Sequence, residues 1–199
     1  MTLPSSPAAL RNRAPILDVL RPSLPERGRV LELAAGTGEH AVFLAGALPG
    51  LDWLPTDHDA EALAVVDARR AAEGPPNLRP AERLDATDPS TWPPGPFDAV
   101  VCINMIHIAP WSAAEGLMRL TERVLAPGGL LYLYGPYRED GVPTAPSNEA
   151  FDASLRARDP AWGLRRLEEV GALAQASGLA LQERLDMPAN NLSLLFRRA

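Results

Sequence analysis

The chain predicts an α/β fold: a doubly wound, Rossmann-like, mostly parallel seven-stranded sheet closed by an antiparallel C-terminal hairpin. Three observations point there. Short apolar runs alternate with helix-patterned stretches along nearly the whole length, the order of a parallel sheet with right-handed crossovers. The first run, Arg29-Val30-Leu31-Glu32-Leu33, breaks into Ala34-Ala35-Gly36-Thr37-Gly38 and is followed by Ala41, Phe43, Leu44 and Leu48 on one helical face. Near the other end, runs over 179–186 and 191–197 are joined by Met187-Pro188-Ala189-Asn190, short enough for a hairpin.

Taken in order, Ser6-Pro7 is an N-cap and first helical position. The helix it opens runs to Leu20, broken or restarted at Pro15, and buries Ile16, Leu17 and Leu20. A Pro-rich connector, 21–28, leads into the first strand. The first crossover helix ends near Ala47, before Pro49-Gly50. A second strand spans 51–56, and a helix spans 59–72 with Leu63, Val66 and Ala68 available for burial. A third strand covers 78–84, and Asp88-Pro89 starts a short turn of helix. The fourth strand, 97–103, is apolar through Ala99-Val100-Val101-Cys102-Ile103, as a strand covered on both faces should be. Ser112-Ala113-Ala114-Glu115 reads as a capping box opening a helix to Leu125. Pro127-Gly128-Gly129 turns into a fifth strand, 130–134. A long segment, 135–163, with a short helix over 147–158, reads as a lid. One more helix, 164–177, carries Leu164, Leu167, Val170 and Ala174 on one face and ends at Gly178. The expected organisation is one domain over 1–199, with a helical cap at 1–28 and the lid as an insertion.

Composition narrows the function. At 199 residues, 46% hydrophobic and 22% charged, the chain is an ordinary globular domain. It holds no apolar run of membrane-spanning length, and 1–13 lacks the apolar core of a secretory signal. A cytoplasmic protein is expected. Net charge is −6 without a basic stripe, so nucleic acid is not an expected partner. The one cysteine, Cys102, excludes an internal disulfide and a Cys-rich zinc site, and reads as a small buried residue. No metal site is expected. All 19 basic residues are arginine, which excludes Schiff-base and pyridoxal chemistry, since both need a lysine amine.

The glycine loop carries the chemistry. Gly36 and Gly38 let a ligand approach the main chain, and the following helix aims unpaired N–H groups at it. Gly36-Thr37-Gly38-Glu39-His40-Ala41 fits the dinucleotide pattern G-x-G-x-x-G/A. Glu32, four residues before Gly36, argues otherwise: its carboxylate would repel a pyrophosphate and suits a cofactor carrying an amine. The stretch from Glu32 to Gly38 resembles the E/D-x-G-x-G-x-G motif of class I S-adenosylmethionine (SAM) methyltransferases, with Ala34 in place of the first glycine. Asp57, Asp85-Ala86, Asn104 to His107 and Pro127-Gly128-Gly129 fall at that family's expected places, so the resemblance covers nearly the whole chain. More narrowly, Ser5, Pro7-Ala8-Ala9 with Arg11-Asn12, Cys102 to Trp111, Tyr132 to Tyr137 and Ala189 to Ser193 look like the methyltransferase-like protein 26 type, a group formerly carried as a domain of unknown function.

The resemblance implies SAM as cofactor and a small-molecule acceptor, with oxygen or nitrogen as the favoured acceptor atom. Ligands in such sheets bind beyond the carboxyl ends of the strands, where Glu32, Asp57, Asp85 and Asn104 lie. Ala34, Gly36 and Gly38 then pass the cofactor, Glu32 faces the methionine amine, and Asp57 takes the ribose hydroxyls. Asp85 accepts from the adenine amino group beside Ala86, and Asn104 and Met105 line the site. Asp59 is the runner-up for the ribose and reads better as a helix N-cap. His58 reads as solvent-facing. His40 either touches the cofactor carboxylate or lies on the helix surface. His107 is either a base for the acceptor or a structural histidine. Trp111, Tyr134 and Tyr137 either wall the acceptor site or are core. Asn12 and Asn190 are further acceptor contacts, and Asn148, Arg156, Asp159 and Trp162 are the lid's candidates. Two other classes stay open: a nicotinamide-dependent oxidoreductase, resting on the G-x-G-x-x-A match, and a non-catalytic SAM-binding or scaffold protein.

Overall fold

The sheet is organised around β4 (Phe97–Ile103), whose bounds are those the apolar run predicts. A computed structural model describes residues 3–199. Seven strands form one sheet in the order β3-β2-β1-β4-β5-β9-β8, from β1 (Gly28–Leu33), β2 (Leu51–Asp57), β3 (Glu82–Arg83), β5 (Leu125–Gly135), β8 (Leu179–Met187) and β9 (Asn191–Arg198). All pairings from β3 to β5 are parallel, while β9 runs antiparallel to both β5 and β8. The expected hairpin is present, with β9 inserted inside the sheet and β8 at its edge.

Strand alternation divides the core into two layers. Ala99, Val101 and Ile103 of β4, with Leu130, Tyr132 and Tyr134 of β5, face α1 (Pro7–Ser23) and α2 (Glu39–Ala47). Val100 and Cys102, with Leu131 and Leu133, face α4 (Trp111–Val124) and α6 (Leu167–Ala176). Between them, α3 (Ala60–Glu73) packs on α2 and β2. Cys102 is buried as expected, and burial pushes its thiol up to about 12. Among the described residues, no helix is long and apolar enough to cross a membrane.

Several local expectations are corrected. Helix α1 runs unbroken through Pro15, fastened by Ala9, Asn12, Ile16 and Leu20 on its buried face, while Leu17 is only partly covered. One missing N–H bond is outweighed by that stripe of burial. In α3 the buried positions are Val66 and Arg69, not Ala68. The stretch 78–84 pairs only at Glu82–Arg83, with one isolated bridge from Leu78 to Trp53; Pro80 has no N–H to donate between them. Ser112 is not an N-cap: α4 begins at Trp111 behind Pro110, and no side chain caps it. Helix α6 starts only at Leu167, because Arg165–Arg166 form β7, which pairs in parallel with β6 (Tyr137–Arg138).

That small second sheet anchors the segment 135–163, which contains α5 (Pro146–Arg158). Asp152 on α5 is buried, and its Oδ1 accepts from the Leu164 N–H at 2.7 Å. Its Oδ2 accepts from Arg156 Nε at 3.0 Å and Arg138 Nη2 at 3.2 Å. Burial alone would raise this carboxyl, but the Arg156, Leu164 and Arg138 donors hold it below the usual range.

Helix α4 approaches the sheet end closely at Gly116, where a Cβ would stand 2.1 Å from the Ala86 carbonyl oxygen. Gly116→Ala must therefore displace the loop carrying Ala86. We expect a loss of about 2 kcal/mol, in the range of over-packing in a filled interior. A drop in the thermal midpoint reads it.

Candidate functional site

The carboxyl ends of β1, β2, β4 and β5 are in step, since Glu32 pairs with Pro55, Leu33 with Cys102 and Ile103 with Tyr134. The loops leaving these ends surround a cavity of about 480 Å³. The turn after β1 is held by backbone bonds from Ala35 N to Thr56 O and from Gly38 N to Ala35 O, both 2.9 Å. The Gly36 N–H donates to Asp57 Oδ2 at 3.0 Å, tying the loop to the end of β2. Ala34 sits at φ 55 and Gly36 at φ 56. Ala34 thus holds a conformation that glycine takes freely while carrying a Cβ, at a cost of roughly 1–2 kcal/mol.

Ala34, Gly36, Asp57, Asp85, Ala86, Asn104 and Met105, all singled out from the sequence, line this cavity. Asp57 is 5% exposed, and besides Gly36 it accepts from the Asp59 N–H at 3.1 Å. Asp59 caps α3 by accepting from the Glu61 N–H at 3.0 Å, as read from the sequence. His58 is exposed, on the rim, with Nδ1 3.2 Å from Asp57 Oδ1. Asp85 Oδ1 accepts from the Thr87 hydroxyl at 2.7 Å and the Thr87 N–H at 2.8 Å. These bonds hold its carboxyl below the usual range and leave Oδ2 for a ligand. Leu84, Ala86, Ile108 and Ala113 form an apolar slot beside it. Thr87, in a loop, and Ser112, in the first turn of α4, are wall residues that the sequence reading missed; a lone hydroxyl carries no positional signal in either setting.

Glu32 and Gly38 are not on this wall. Gly38 is buried, and a Cβ there would stand 3.2 Å from Val66 Cα, so it serves the packing of α2 on α3. Glu32 is 2% exposed beneath the loop, and its Oε2 accepts from Trp53 Nε1 at 2.6 Å. Burial, countered by Trp53 and reinforced by Asp57, raises its carboxyl to about 7.

A second cavity, of about 430 Å³, adjoins the first through Asn104, which lines both. Asn104 takes a left-handed conformation at φ 62, with its N–H donating to the Tyr134 carbonyl at 2.8 Å. The other walls come from Ala8, Arg11 and Asn12 of α1, from Tyr134 and Pro136, and from Ser147, Asn148 and Phe151 of α5. The hairpin closes it with Pro188, Ala189 and Asn191. Asn12 Oδ1 lies 2.7 Å from His40 Nε2. Burial lowers His40 to about 4, so the neutral ring donates from Nε2 to Asn12. His40 thus faces α1 rather than open helix surface. Burial raises the Tyr134 hydroxyl, with Asn12 acting the other way.

Asn12 and Tyr134 are therefore brought together, and His107, Tyr137, Trp111 and Asn190 lie off this wall. His107 is 0% exposed, with neither ring nitrogen bonded, and lines neither cavity. Burial, with Arg165 nearby, lowers it to about 3, and its ring meets Tyr137 edge-on at 4.8 Å. A Cβ at Gly135 would stand 2.5 Å from its Nε2, so the β5 backbone closes over it. In this placement its ring is part of the core, not of either cavity wall. Tyr137 is buried beside it, with an unbonded hydroxyl. Trp111 packs under the Arg165 guanidinium, 5.6 Å from its ring centre. Asn190 turns away from the cavity: its Nδ2 donates to Ser147 Oγ at 3.1 Å and its carbonyl accepts from Asn148 at 2.9 Å. Of the lid candidates, Asn148 reaches the wall, Arg156 is engaged with Asp152, and Trp162 lies under Arg158 at 4.9 Å. Arg11 and Phe151 were missed as wall residues, because exposed positions on helices carry no sequence signal.

Residues 3–198 match the family described as "Protein of unknown function (DUF938)". The chain belongs to this family. It is 28% identical over 188 residues to an uncharacterized protein of Synechococcus, covering 94% of this chain and 40% of that protein. It is 36% identical over 125 residues to a demethylmenaquinone methyltransferase of Thermus thermophilus, covering 62% of this chain and 53% of that protein. The chain thus spans about half the length, or less, of these relatives. Among solved structures it is similar to an O-methyltransferase family protein of Burkholderia thailandensis, with a TM-score of 0.79 at 19% identity, over 96% of this chain and 57% of that one. The fold is that of the class I methyltransferases.

Two substitutions test the loop. Ala34→Gly should gain about 1 kcal/mol in stability by relieving the left-handed alanine, less the entropy of an added glycine. Denaturant midpoints check it. Glu32 has a folded-state pKa of about 7, above its unfolded value of 4.5. Its ionisation therefore opposes folding: the penalty is absent below pH 4.5, grows as pH rises to 7, and reaches ~3 kcal/mol above it. Glu32→Gln should thus stabilise the protein at pH 8 and change little at pH 4, read from thermal midpoints at the two pH values.

Proposed function

We propose that this protein is a SAM-dependent methyltransferase acting on a small molecule, with the cofactor in the larger cavity and the acceptor in the cavity beyond Asn104. One observation carries the reading: the cofactor cavity presents the carboxylates of Asp57 and Asp85 and no arginine. A pyrophosphate-bearing nicotinamide cofactor would bring two negative charges to that wall without a counter-ion. SAM brings a sulfonium, an ammonium, ribose hydroxyls and an adenine amino group, for which acceptors are the right complement.

The residues divide the work. Asp57, fixed by the Gly36 and Asp59 N–H groups, offers its remaining lone pairs to the ribose hydroxyls. Asp85 presents Oδ2 to the adenine amino group, and Leu84, Ala86, Ile108 and Ala113 enclose the ring. Glu32 lies under the loop, off the cavity wall with Oε2 taken by Trp53, and meets the methionine amine through water. When bound, SAM supplies an electrophilic methyl group that needs no further activation. The chain's own contribution is alignment across Asn104 and exclusion of water by α1 and the segment 135–163, which acts as the lid. No carboxylate or imidazole lines the acceptor cavity, and burial keeps Tyr134 protonated. The acceptor atom, oxygen or nitrogen, must therefore arrive already nucleophilic at neutral pH. The sequence resemblance to the methyltransferase-like protein 26 type supports the same reading. The left-handed backbone at Ala34 supports a working loop over a scaffold reading.

Calorimetric titration with S-adenosylhomocysteine should show micromolar binding, and NADH should show none. Asp57→Ala and Asp85→Ala should each weaken S-adenosylhomocysteine by about 10- to 100-fold, the value of a hydrogen bond to a charged group. Parent-like affinity in both variants, or binding of NADH alone, would refute the assignment.

A further inference from the structure

The acceptor cavity carries one formal charge, and it is positive. Arg11 stands on its rim, on the same face of α1 as Ala8 and Asn12. Other arginines nearby are engaged. Arg13 lies over the Phe43 ring at 4.7 Å. Arg69 binds Glu73, the Thr37 carbonyl and the Pro4 carbonyl. Arg138 holds Glu149 and Asp152, and Arg184 holds Glu139 and Asp186. Among the described residues, Arg11 has no carboxylate within ion-pair distance and no hydrogen-bond acceptor. In a chain of net charge −6, an arginine at the mouth of an acid-free cavity stands out.

The rest of the wall fits a flat molecule. Phe151 is 36% exposed and lines the cavity with an aromatic side chain, and Pro136 and Pro188 add rigid apolar surface. The wall amides are largely spent inside the protein: Asn12 on His40, Asn148 on the Asn190 carbonyl, and Asn191 on the Pro188 carbonyl. Consecutive left-handed residues, Ala189 at φ 59 and Asn190 at φ 57, make the tight hairpin turn that brings Pro188, Ala189 and Asn191 to the cavity. The volume of about 430 Å³ lies at the small end of the range for small-molecule sites.

We propose that the methyl acceptor is a small organic acid with a planar apolar body, whose anionic group is held by Arg11 while the body rests against Phe151. This rests on the methyltransferase reading of the neighbouring cavity. An ammonium-bearing acceptor finds no carboxylate here, and a neutral one leaves the arginine without a partner. A guanidinium matches a carboxylate with two parallel N–H donors, so it selects for the group as well as for the charge.

Three probes of nearly one shape and different charge test it: benzoate, benzamide and benzylamine. Each is titrated into the full chain saturated with S-adenosylhomocysteine, with binding read by ligand-observed NMR. The expected result is benzoate binding at least about tenfold tighter than benzamide, no binding of benzylamine, and loss of the benzoate preference in Arg11→Gln. Phe151→Ala should weaken benzoate and benzamide alike. Benzylamine binding as well as benzoate, an unchanged preference in Arg11→Gln, or no binding of benzoate would each overturn the proposal. S-adenosylhomocysteine is titrated into the parent protein alongside. Its binding without benzoate binding would overturn the acceptor class alone, whereas its failure to bind would overturn the methyltransferase reading and the proposal with it.

Discussion

The hydrogen bond from the Gly36 N–H to Asp57 Oδ2, 3.0 Å long, is the constraint on which the site depends. It joins two loops that leave neighbouring strands and fixes both partners at once. Gly36 can present its N–H there only in the left-handed conformation, and that turn in turn sets where α2 begins. Asp57 is held from the other side by the Asp59 N–H, and Asp59 is the cap of α3. Two helices and the carboxylate proposed to meet the ribose therefore share one small hydrogen-bonded knot. A cofactor meeting it finds the carboxylate already desolvated and aimed, so little ordering cost falls on binding.

The two cavities differ in the sign of their walls. One presents Asp57 and Asp85, the other Arg11, and Asn104 stands between them with an uncharged side chain. On the proposed reading, a cationic donor and an anionic acceptor would be sorted by electrostatics before any shape is read. The division matters more because the acceptor cavity offers no base. With no side chain to take a proton, discrimination rests on which molecules enter and how they lie, and the arginine and the aromatic rim are the parts able to decide that.

Much of this was legible in the sequence, for physical reasons that differ by element. Strand β4 could be bounded to the residue because burial on both faces demands an unbroken apolar run. The wall of the first cavity was legible because polar strand-end residues fall at regular places along a doubly wound chain: Asp57, Asp85 and Asn104 converge as the topology requires, whereas Glu32 is drawn beneath the loop. The acceptor side was not. His107, Tyr137 and Trp111 follow strand ends as surely as the cofactor residues do, but position along the chain does not say which side of the loop a side chain takes, and all three turn away from the acceptor cavity. Arg11 and Phe151 reach the cavity from helices packed on the sheet's rim, a relation set by tertiary packing and invisible to local pattern. Pro15 misled for a related reason, since the burial that carries α1 through it lies elsewhere in the molecule.

The chain ahead of α1 is fastened at one point. Glu39, the first residue of α2, accepts from the Ser5 hydroxyl at 2.8 Å and the Ser6 N–H at 2.7 Å, while Arg69 reaches the Pro4 carbonyl. The clasp sits on the helix that follows the glycine loop, yet what it secures is a wall of the other cavity. Loss of these few bonds would release only the stretch 4–6, because Ile16 and Leu20 keep α1 seated in the core. The start of the helix that follows the glycine loop and the start of the helix that walls the second cavity thus meet at one carboxylate, so a change in the side chain at Glu39 is felt at both.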